Sequence, residues 1–359
     1  VSQALPALIL NGVSKVDTNR YRTTSLAAYG QATLHLTDAL SLTGGLRYSH
    51  DDKRGHYSAV AAGGLPLLGP LAAFAPLRAA FASSGAFDVE SKVGNVSGSA
   101  NLSYRFSNNV LAYASYSRGN RSGGLNLTQL ASGISPVVAP ETIDAYELGI
   151  KNTFMDGKGR LNLALFNYEY SNLIVGNLVG TAVANTNIPK SRVRGLEAEL
   201  VLTPVDPLRL EASLGLLNAT VRSDYRSSDP SRGGALFQIQ GNQLPNAPRR
   251  TLKLAAEYTI DAGSDWTVRP RVDFYSQSGF HSREFNVAAD RVGSWSQLDA
   301  SIQIANSGKD WSVTAFVKNL TNEDSITWLE VNSNLVGSFR SAFLLDPRTF
   351  GLSLRVGFK

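Results

Sequence analysis

Cysteine is absent from this 359-residue chain, which excludes disulfide staples, thiolate metal sites and cysteine nucleophiles together. The compartment stays open, because an oxidising one permits disulfides without requiring them. Long apolar runs are missing as well. No stretch of about 18 apolar residues lacks a breaker, and the most apolar region, 59–82, is cut by Pro66, Pro70 and Pro76, so it reads as a loop and not as a spanning helix. Charge of one sign is scarce: the net +5 and pI near 9.3 come from Lys and Arg scattered singly, often beside Asp or Glu, which argues against a basic groove for nucleic acid. The 4 histidines, His35, His50, His56 and His281, stand far apart with no metal-ligand spacing. Residues 1–10 lack the basic segment, apolar core and small-residue cleavage site of a secretory signal, so further chain upstream is expected.

What the chain has is alternation. Apolar residues make up 43% while mean hydropathy is −0.09, so the two kinds are finely mixed. In 39–48, Leu40, Leu42, Leu46 and Tyr48 share one face, with Ser41, Thr43 and Arg47 on the other. Leu196, Ala198, Leu200 and Leu202 likewise oppose Glu197 and Glu199, and Leu208, Leu210, Ala212, Leu214 and Leu216 oppose Arg209, Glu211 and Ser213. Further on, Lys253, Glu257, Arg269, Arg271, Asp273 and Arg355 each stand between apolar neighbours. Period two with one apolar and one charged face is the pattern of a strand between lipid and water. A lipid-facing Arg costs about 2–4 kcal/mol at the midplane, so the charged face is assigned to an aqueous bore. Two segments, 110–117 and 161–170, are apolar or aromatic on both faces, and their orientation stays open.

Short turns rich in Asp, Asn and Gly fall at 37–38, 107–109, 155–159, 203–207, 261–265 and 306–310. Long loops fall near 53–90, 122–140, 174–188, 223–245, 281–291 and 322–344. This is the short-turn, long-loop asymmetry of outer-membrane barrels, with the short turns toward the periplasm. The spacing predicts about 13 strands: 22–36, 39–52, 91–106, 109–121, 141–154, 160–173, 190–203, 207–222, 247–260, 266–280, 292–305, 311–320 and 346–358. Bacterial single-chain barrels use even strand numbers. Either 7–15 supplies a fourteenth strand against the last one, or the chain is a piece of a larger barrel, with 1–21 an outer-loop remnant.

The motifs favour the larger barrel. Tyr113-Ala-Ser-Tyr-Ser-Arg-Gly119, Pro140-Glu-Thr-Ile-Asp-Ala-Tyr-Glu-Leu-Gly-Ile-Lys151, Phe166-Asn-Tyr-Glu-Tyr-Ser-Asn-Leu-Ile-Val175, Ser191-Arg-Val-Arg-Gly-Leu-Glu-Ala-Glu199, Leu244-Pro-Asn-Ala-Pro-Arg249, Val317-Lys-Asn-Leu-Thr-Asn-Glu323 and Pro347-Arg-Thr-Phe-Gly351 resemble, in this order, the barrel of TonB-dependent receptors. The resemblance runs over 22–359. It implies an all-β fold, a transmembrane antiparallel up-and-down β-barrel of about 22 strands with a plugged lumen, of which about nine are missing here. It also implies a Gram-negative outer-membrane location among lipid, uptake of a scarce solute such as a ferric siderophore, and energising by a TonB-type partner reached through segments that do not appear before Val1. The family's terminal aromatic is displaced by one position, Phe358 being followed by Lys359. No cofactor and no enzyme activity are expected.

Catalytic constellations are weak. His281, Ser282 and Glu284 would suit a membrane lipid hydrolase only if folding assembled them. Glu197 and Glu199 are expected to pair with Arg209 across a hairpin. Gly123-Gly124 and Gly233-Gly234 lack the strand-to-helix context of a phosphate loop. The aromatics Tyr48, Tyr104, Tyr113, Tyr116, Tyr168, Tyr170, Tyr258, Trp266, Phe274, Trp295, Trp311 and Phe358 are expected in interfacial girdles. Tyr225, Phe237, Phe280 and Trp328, in or beside outer loops, together with Arg118, Arg121, Arg226 and Arg232, form the candidate set for contact with an anionic metal chelate. A passive channel of about 14 strands is the rival reading.

Overall fold

The computed structural model describes residues 7–357 apart from 131–133, 180–181, 233–234, 264, 309 and 333–338. Gly233, Gly234, Phe358 and Lys359 lie outside the described residues. Thirteen strands follow one another in chain order within a single 14-stranded antiparallel sheet. They are β1 Val13–His35, β2 Leu40–Gly63, β3 Gly85–Ser107, β4 Val110–Arg121, β5 Glu141–Phe154, β6 Gly159–Val179, β7 Ala182–Val205, β8 Leu208–Val221, β9 Arg250–Tyr258, β10 Trp266–Gln277, β11 Trp295–Asn306, β12 Trp311–Lys318 and β13 Thr349–Val356. The remaining strand, Ile260–Asp261, continues the pairing of β9 against Val268 and Thr267. Each strand pairs with its sequence neighbours, as up-and-down connectivity demands, and among the described residues no pairing joins β1 to β13.

Turn chemistry explains the short end. Thr37 Oγ1 accepts from the backbone N–H of Ala39 (3.2 Å) and Leu40 (3.0 Å). Met155, Asp156 and Gly157 reverse β5 into β6 with φ of 54°, 53° and 88°, values that an L side chain adopts at a cost and Gly does not.

At the other end the strands overrun their expected limits. Residues 13–21, expected as a loop remnant, are instead the start of β1, paired from Val13↔Gly63 to Tyr21↔Gly55. This also removes the fourteenth strand proposed for 7–15: Ala7–Leu10 is helical, and Val13 to Lys15 pair with β2. The loop expected at 53–90 shrinks to 64–84, carrying a short helix at Ala75–Phe81, and 174–188 is mostly strand, with β6 and β7 continuing to Val179 and from Ala182. The other long connections fold into small hairpins: Gly124–Leu125 with Val137–Val138, Arg226–Asp229 with Ala235–Gln238, Phe280–His281 with Arg291–Val292, and Ile326–Val331 with Arg340–Leu344.

A wall one sheet thick has no interior of its own, so the buried apolar cluster lies above it. Ile188, Ala219, Val221, Ile239, Leu244 and Ala247 pack together at the long-loop end, with Leu173, Val175, Tyr225 and Phe285 against them.

Candidate functional site

Residues directly opposite in an antiparallel pair share a face, so the register sorts the wall into its two sides. One row runs Leu148, Leu165, Leu196 and Leu216, and the next toward the turns runs Ile150, Leu163, Ala198, Leu214 and Leu252. Leu46, Leu148, Leu165, Leu352 and Leu354 are each more than half exposed in isolation, as a hydrocarbon-facing belt is. Its lower margin holds Tyr104 against Phe106 and Trp266 edge-on to Trp311, with ring centroids 4.7 Å and 5.3 Å apart.

The opposite face carries the charges. Arg209, Glu257 and Arg271 form one cross-strand row, and Glu211, Ala255 and Asp273 the next. Arg271 reaches Asp273 (2.7 Å), Glu211 (3.6 Å) and Glu257 (3.8 Å), while Arg209 holds Glu211 at 2.7 Å. The expected pairing of Glu197 and Glu199 with Arg209 is not made. The register sets Glu197 opposite Gly215 and Glu199 opposite Ser213, two or more rows short of Arg209.

The two ambiguous segments now resolve. In β4, Ala112, Ala114 and Tyr116 face outward and Tyr113 and Ser115 inward; in β6, Leu161, Leu163 and Leu165 face outward, and Phe166, Tyr168 and Tyr170 inward. Both faces looked apolar because the inner wall here is aromatic. Tyr113, Tyr168, Tyr170 and Trp295 are therefore bore residues and not members of an outer girdle. Tyr113 Oη donates to Glu147 at 2.5 Å, and Tyr168 Oη to the other oxygen at 3.4 Å. The rings lie flat because glycine is beneath them: a Cβ on Gly149 would stand 2.3 Å from the Tyr113 ring, and one on Gly195 2.6 Å from Phe166.

Above this aromatic shelf, three loops are fastened by buried charge. Arg283 binds Asp229 (2.8 Å) in one loop and Asp290 (2.6 Å) in its own, and Arg340 from a third loop shares Asp290 at 2.8 Å. Both aspartates are 0% exposed. Burial alone would raise the Asp229 carboxyl, but hydrogen bonds from Ser231 and Arg283 outweigh it and hold the group below its usual 3.8. Glu284 goes the other way. Burial pushes it above its usual 4.5, and the hydrogen bond from Ser227 (3.1 Å) offsets this only in part. Arg283 also lies 5.1 Å from the Phe285 ring centroid and Arg232 4.7 Å from that of Phe237, the two rings meeting edge-on at 6.4 Å.

The expected contact residues divide among these places. Arg232 and Phe237 meet Phe285 in the loop layer, Tyr225 packs with Phe285 against the buried cluster, and Arg226 lies exposed opposite Gln238 in the same hairpin. Phe280, 6% exposed, packs with Val292 and Leu329, and Trp328 lies tilted at 42° against Phe343 (centroids 5.0 Å apart) while its Nε1 donates to Asn246. Arg121 faces inward opposite Glu141. Arg118 is set apart from all of them: it shares the outward face with Gly98 and Leu46 and pairs with Asp144 at 3.7 Å. The set His281, Ser282 and Glu284 is not assembled, since His281 Nδ1 and Ser282 Oγ have no hydrogen-bond partner and Glu284 takes Ser227. Among the described residues no group of three or more His, Asp or Glu stands where it could hold a metal ion.

Against this geometry the likenesses to other proteins can be weighed. The family description "TonB dependent receptor-like, beta-barrel" matches residues 4–320. The chain belongs to the TonB-dependent receptor family. The "Probable TonB-dependent siderophore receptor PiuA" of Acinetobacter baumannii is 23% identical over 256 residues, 68% of this chain and 34% of its own length. The ferric-pyoverdine M114 receptor PbuA of Pseudomonas sp. (strain M114) is 24% identical over 269 residues, 74% and 30% respectively. The solved structure of the ferric yersiniabactin uptake receptor FyuA from Yersinia pestis superposes with a TM-score of 0.76 at 20% identity, over 96% of this chain and 47% of that one, which shows the fold. The chain thus spans about a third of the length of these curated relatives.

Proposed function

We propose that this chain is the C-terminal portion of the wall of an outer-membrane importer that takes up a ferric siderophore, with energy supplied by a TonB-type partner. The observation that carries the reading is the two-sided wall: an outward apolar belt, and an inward face that changes from charged at the turn end to aromatic below the loops. A bulky chelate entering from outside would meet Phe237, Arg232 and Trp328 in the loop layer, then Tyr168, Tyr170 and Trp295 on the inner wall. Aromatic faces and guanidinium groups suit large, partly apolar anions. The unpaired edges of β1 and β13 would be completed by further strands of the whole receptor, because an exposed edge in hydrocarbon leaves backbone N–H and C=O groups unsatisfied at several kcal/mol each. The names of PiuA and PbuA support the siderophore class and leave the particular chelate open.

The test is uptake of radioiron presented as a panel of ferric siderophores to cells carrying or lacking the complete receptor. Uptake of at least one chelate that disappears with the receptor and with the energising partner is expected. Passive, partner-independent flux would refute import and favour a channel.

A further inference from the structure

A wall one sheet thick should leave its inner face open, yet on β2 the inward residues Asp51, Gly55, Tyr57 and Ala59 are all buried. Part of their cover is the connection between β4 and β5, described at 122–130 and 134–140. Near its start Lys53 Nζ donates to Gly123 O. The side chains of Leu125 and Leu127 lie on Gly55, where a Cβ would stand 3.0 Å from Leu125 Cδ1 and 2.6 Å from Leu127 Cδ2. The residue between them turns the other way. Asn126, 4% exposed, donates through Nδ2 to Asn185 O (2.9 Å) and Ser135 O (3.0 Å), and its Oδ1 accepts from Asn185 N (2.8 Å).

Asn185 belongs to β7, five strands from β2 and so about 24 Å away along the wall at about 4.8 Å per strand. Three consecutive residues span at most about 7 Å, so the outer ends of β2 and β7 lean together across the bore. The lean begins where the ladder between β6 and β7 skips Asn172, at φ 55°, and Pro189, which has no N–H to give. Above that kink Ile174 N donates to Glu141 Oε2 (2.7 Å), and Asn187 holds Ala139 from both sides, accepting from its N (2.9 Å) and donating to its O (3.1 Å). Gln129 Nε2 adds bonds to Ala79 O (2.9 Å) and Ala80 O (3.2 Å) of the helix between β2 and β3. The result is a roof over the corner of the bore formed by β3 to β6. Beneath it Tyr170 faces inward in the row of Gly119 and Ile143, two residues below Arg121, where the chain leaves the wall, and Tyr168 is one inward position lower. The asparagine and glutamine ties join amide to peptide without charge, unlike the clasp of Asp229, Arg283, Asp290 and Arg340.

We propose that this roof is a size filter: it admits small solutes to Tyr168 and Tyr170 and turns bulky ones away, with Asn126 and Asn187 as the positioning residues that hold it down. Its use in import rests on the reading given above, whereas its test needs no iron. In intact cells carrying the complete receptor with Tyr170→Cys, labelling from outside is timed with a small methanethiosulfonate and with a polyethylene glycol maleimide several times wider. A receptor with Arg226→Cys, in the exposed part of a loop hairpin, calibrates the two reagents. The small reagent is expected to reach position 170 at the same rate with or without Asn126→Ala. The large one should gain about thirty-fold in that variant, as the loss of its neutral hydrogen bonds to Asn185 and Ser135 implies. Asn187→Ala, which loses its bonds to Ala139 and Asn172, should act alike, and heat-modifiable migration confirms that each variant is folded. A large reagent that reaches position 170 of the parent as fast as the small one, large-reagent rates that neither substitution moves, or equal gains for both reagents would each overturn the proposal. Size-dependent labelling in a receptor that takes up no chelate would instead sink the importer reading and leave the filter standing.

Discussion

Asp290→Asn is the perturbation whose outcome the geometry constrains most. Asp290 is 0% exposed and receives Arg283 at 2.6 Å and Arg340 at 2.8 Å, so it ties the loop around 280–292 to the one ending at 340–344. Breaking a buried pair by removing one charge costs about 3–5 kcal/mol, because the cation left behind is uncompensated. Two features pull the value toward the lower end. Arg283 keeps Asp229 at 2.8 Å, and the Arg340 side chain, 31% exposed, can turn to water. About 3 kcal/mol is therefore expected, and at 1.4 kcal/mol per factor of ten the open loop population rises about a hundredfold. Because the ion pairs hold loops and not the wall, hydrogen exchange should quicken by that factor in 223–245, 280–294 and the described part of 326–344, with the amides of β5 to β8 unchanged. Arg340→Met, which removes the partly exposed member of the cluster and leaves the buried Asp290 still paired with Arg283, should give about tenfold or less. A rise below threefold for Asp290→Asn, or a uniform rise through the strands, would refute the view that these loops are locked as one body by buried charge.

Other expectations follow from the same coordinates. Glu284→Gln should slow proteolysis of the loops at neutral pH. Its folded pKa is raised, so the native state binds more protons than the unfolded one and the wild-type loops lose stability as pH rises above the usual 4.5 of Glu; the variant should lack that slope. Asp229, whose folded pKa is lowered, adds stability above its usual 3.8 that is lost as pH falls below it, so Asp229→Asn should abolish acid loosening of the loops in the same proteolysis series. Leu352→Arg should lower the folding free energy in lipid vesicles by about 2–4 kcal/mol, whereas Ser353→Arg, on the bore side, should cost under about 1 kcal/mol by urea titration. Gly149→Ala should push the Tyr113 ring off the wall and break its bond to Glu147, seen as a lower siderophore uptake rate with unchanged heat-modifiable migration.

The strands and their order were legible because lipid on one side and water on the other impose period two, and because Thr37-Asp38 or Met155-Asp156-Gly157 can hardly be anything but reversals. Strand ends at the outer side were not legible. Past Leu26 and Tyr48 the wall leaves the hydrocarbon, both faces meet water, and Arg22↔Arg54 or Lys53↔Ser91 show no alternation although the backbone ladder runs on. Faces stayed open where the bore is aromatic, in 110–117 and 161–170, and for the same reason Tyr113, Tyr168, Tyr170 and Trp295 left the girdle expected for them. The loop clasp was invisible for a different reason. Asp229 and Arg283 are 54 positions apart, Asp290 and Arg340 50, and no local period links them. Arg118 illustrates the cost of reading a residue by its neighbourhood: next to a loop in sequence, it lies on the outward face of the wall with Gly98 and Leu46.

The central claim is that successive side chains of one strand meet hydrocarbon and water in turn, and the absence of cysteine makes it open to direct measurement. Single cysteines at Leu163, Ala164, Leu165, Leu196 and Glu197 in the complete receptor, labelled with a fluorophore and reconstituted with brominated lipid, should be quenched at 163, 165 and 196 and spared at 164 and 197. Quenching that ignores parity, or that favours 164 and 197, would contradict the account.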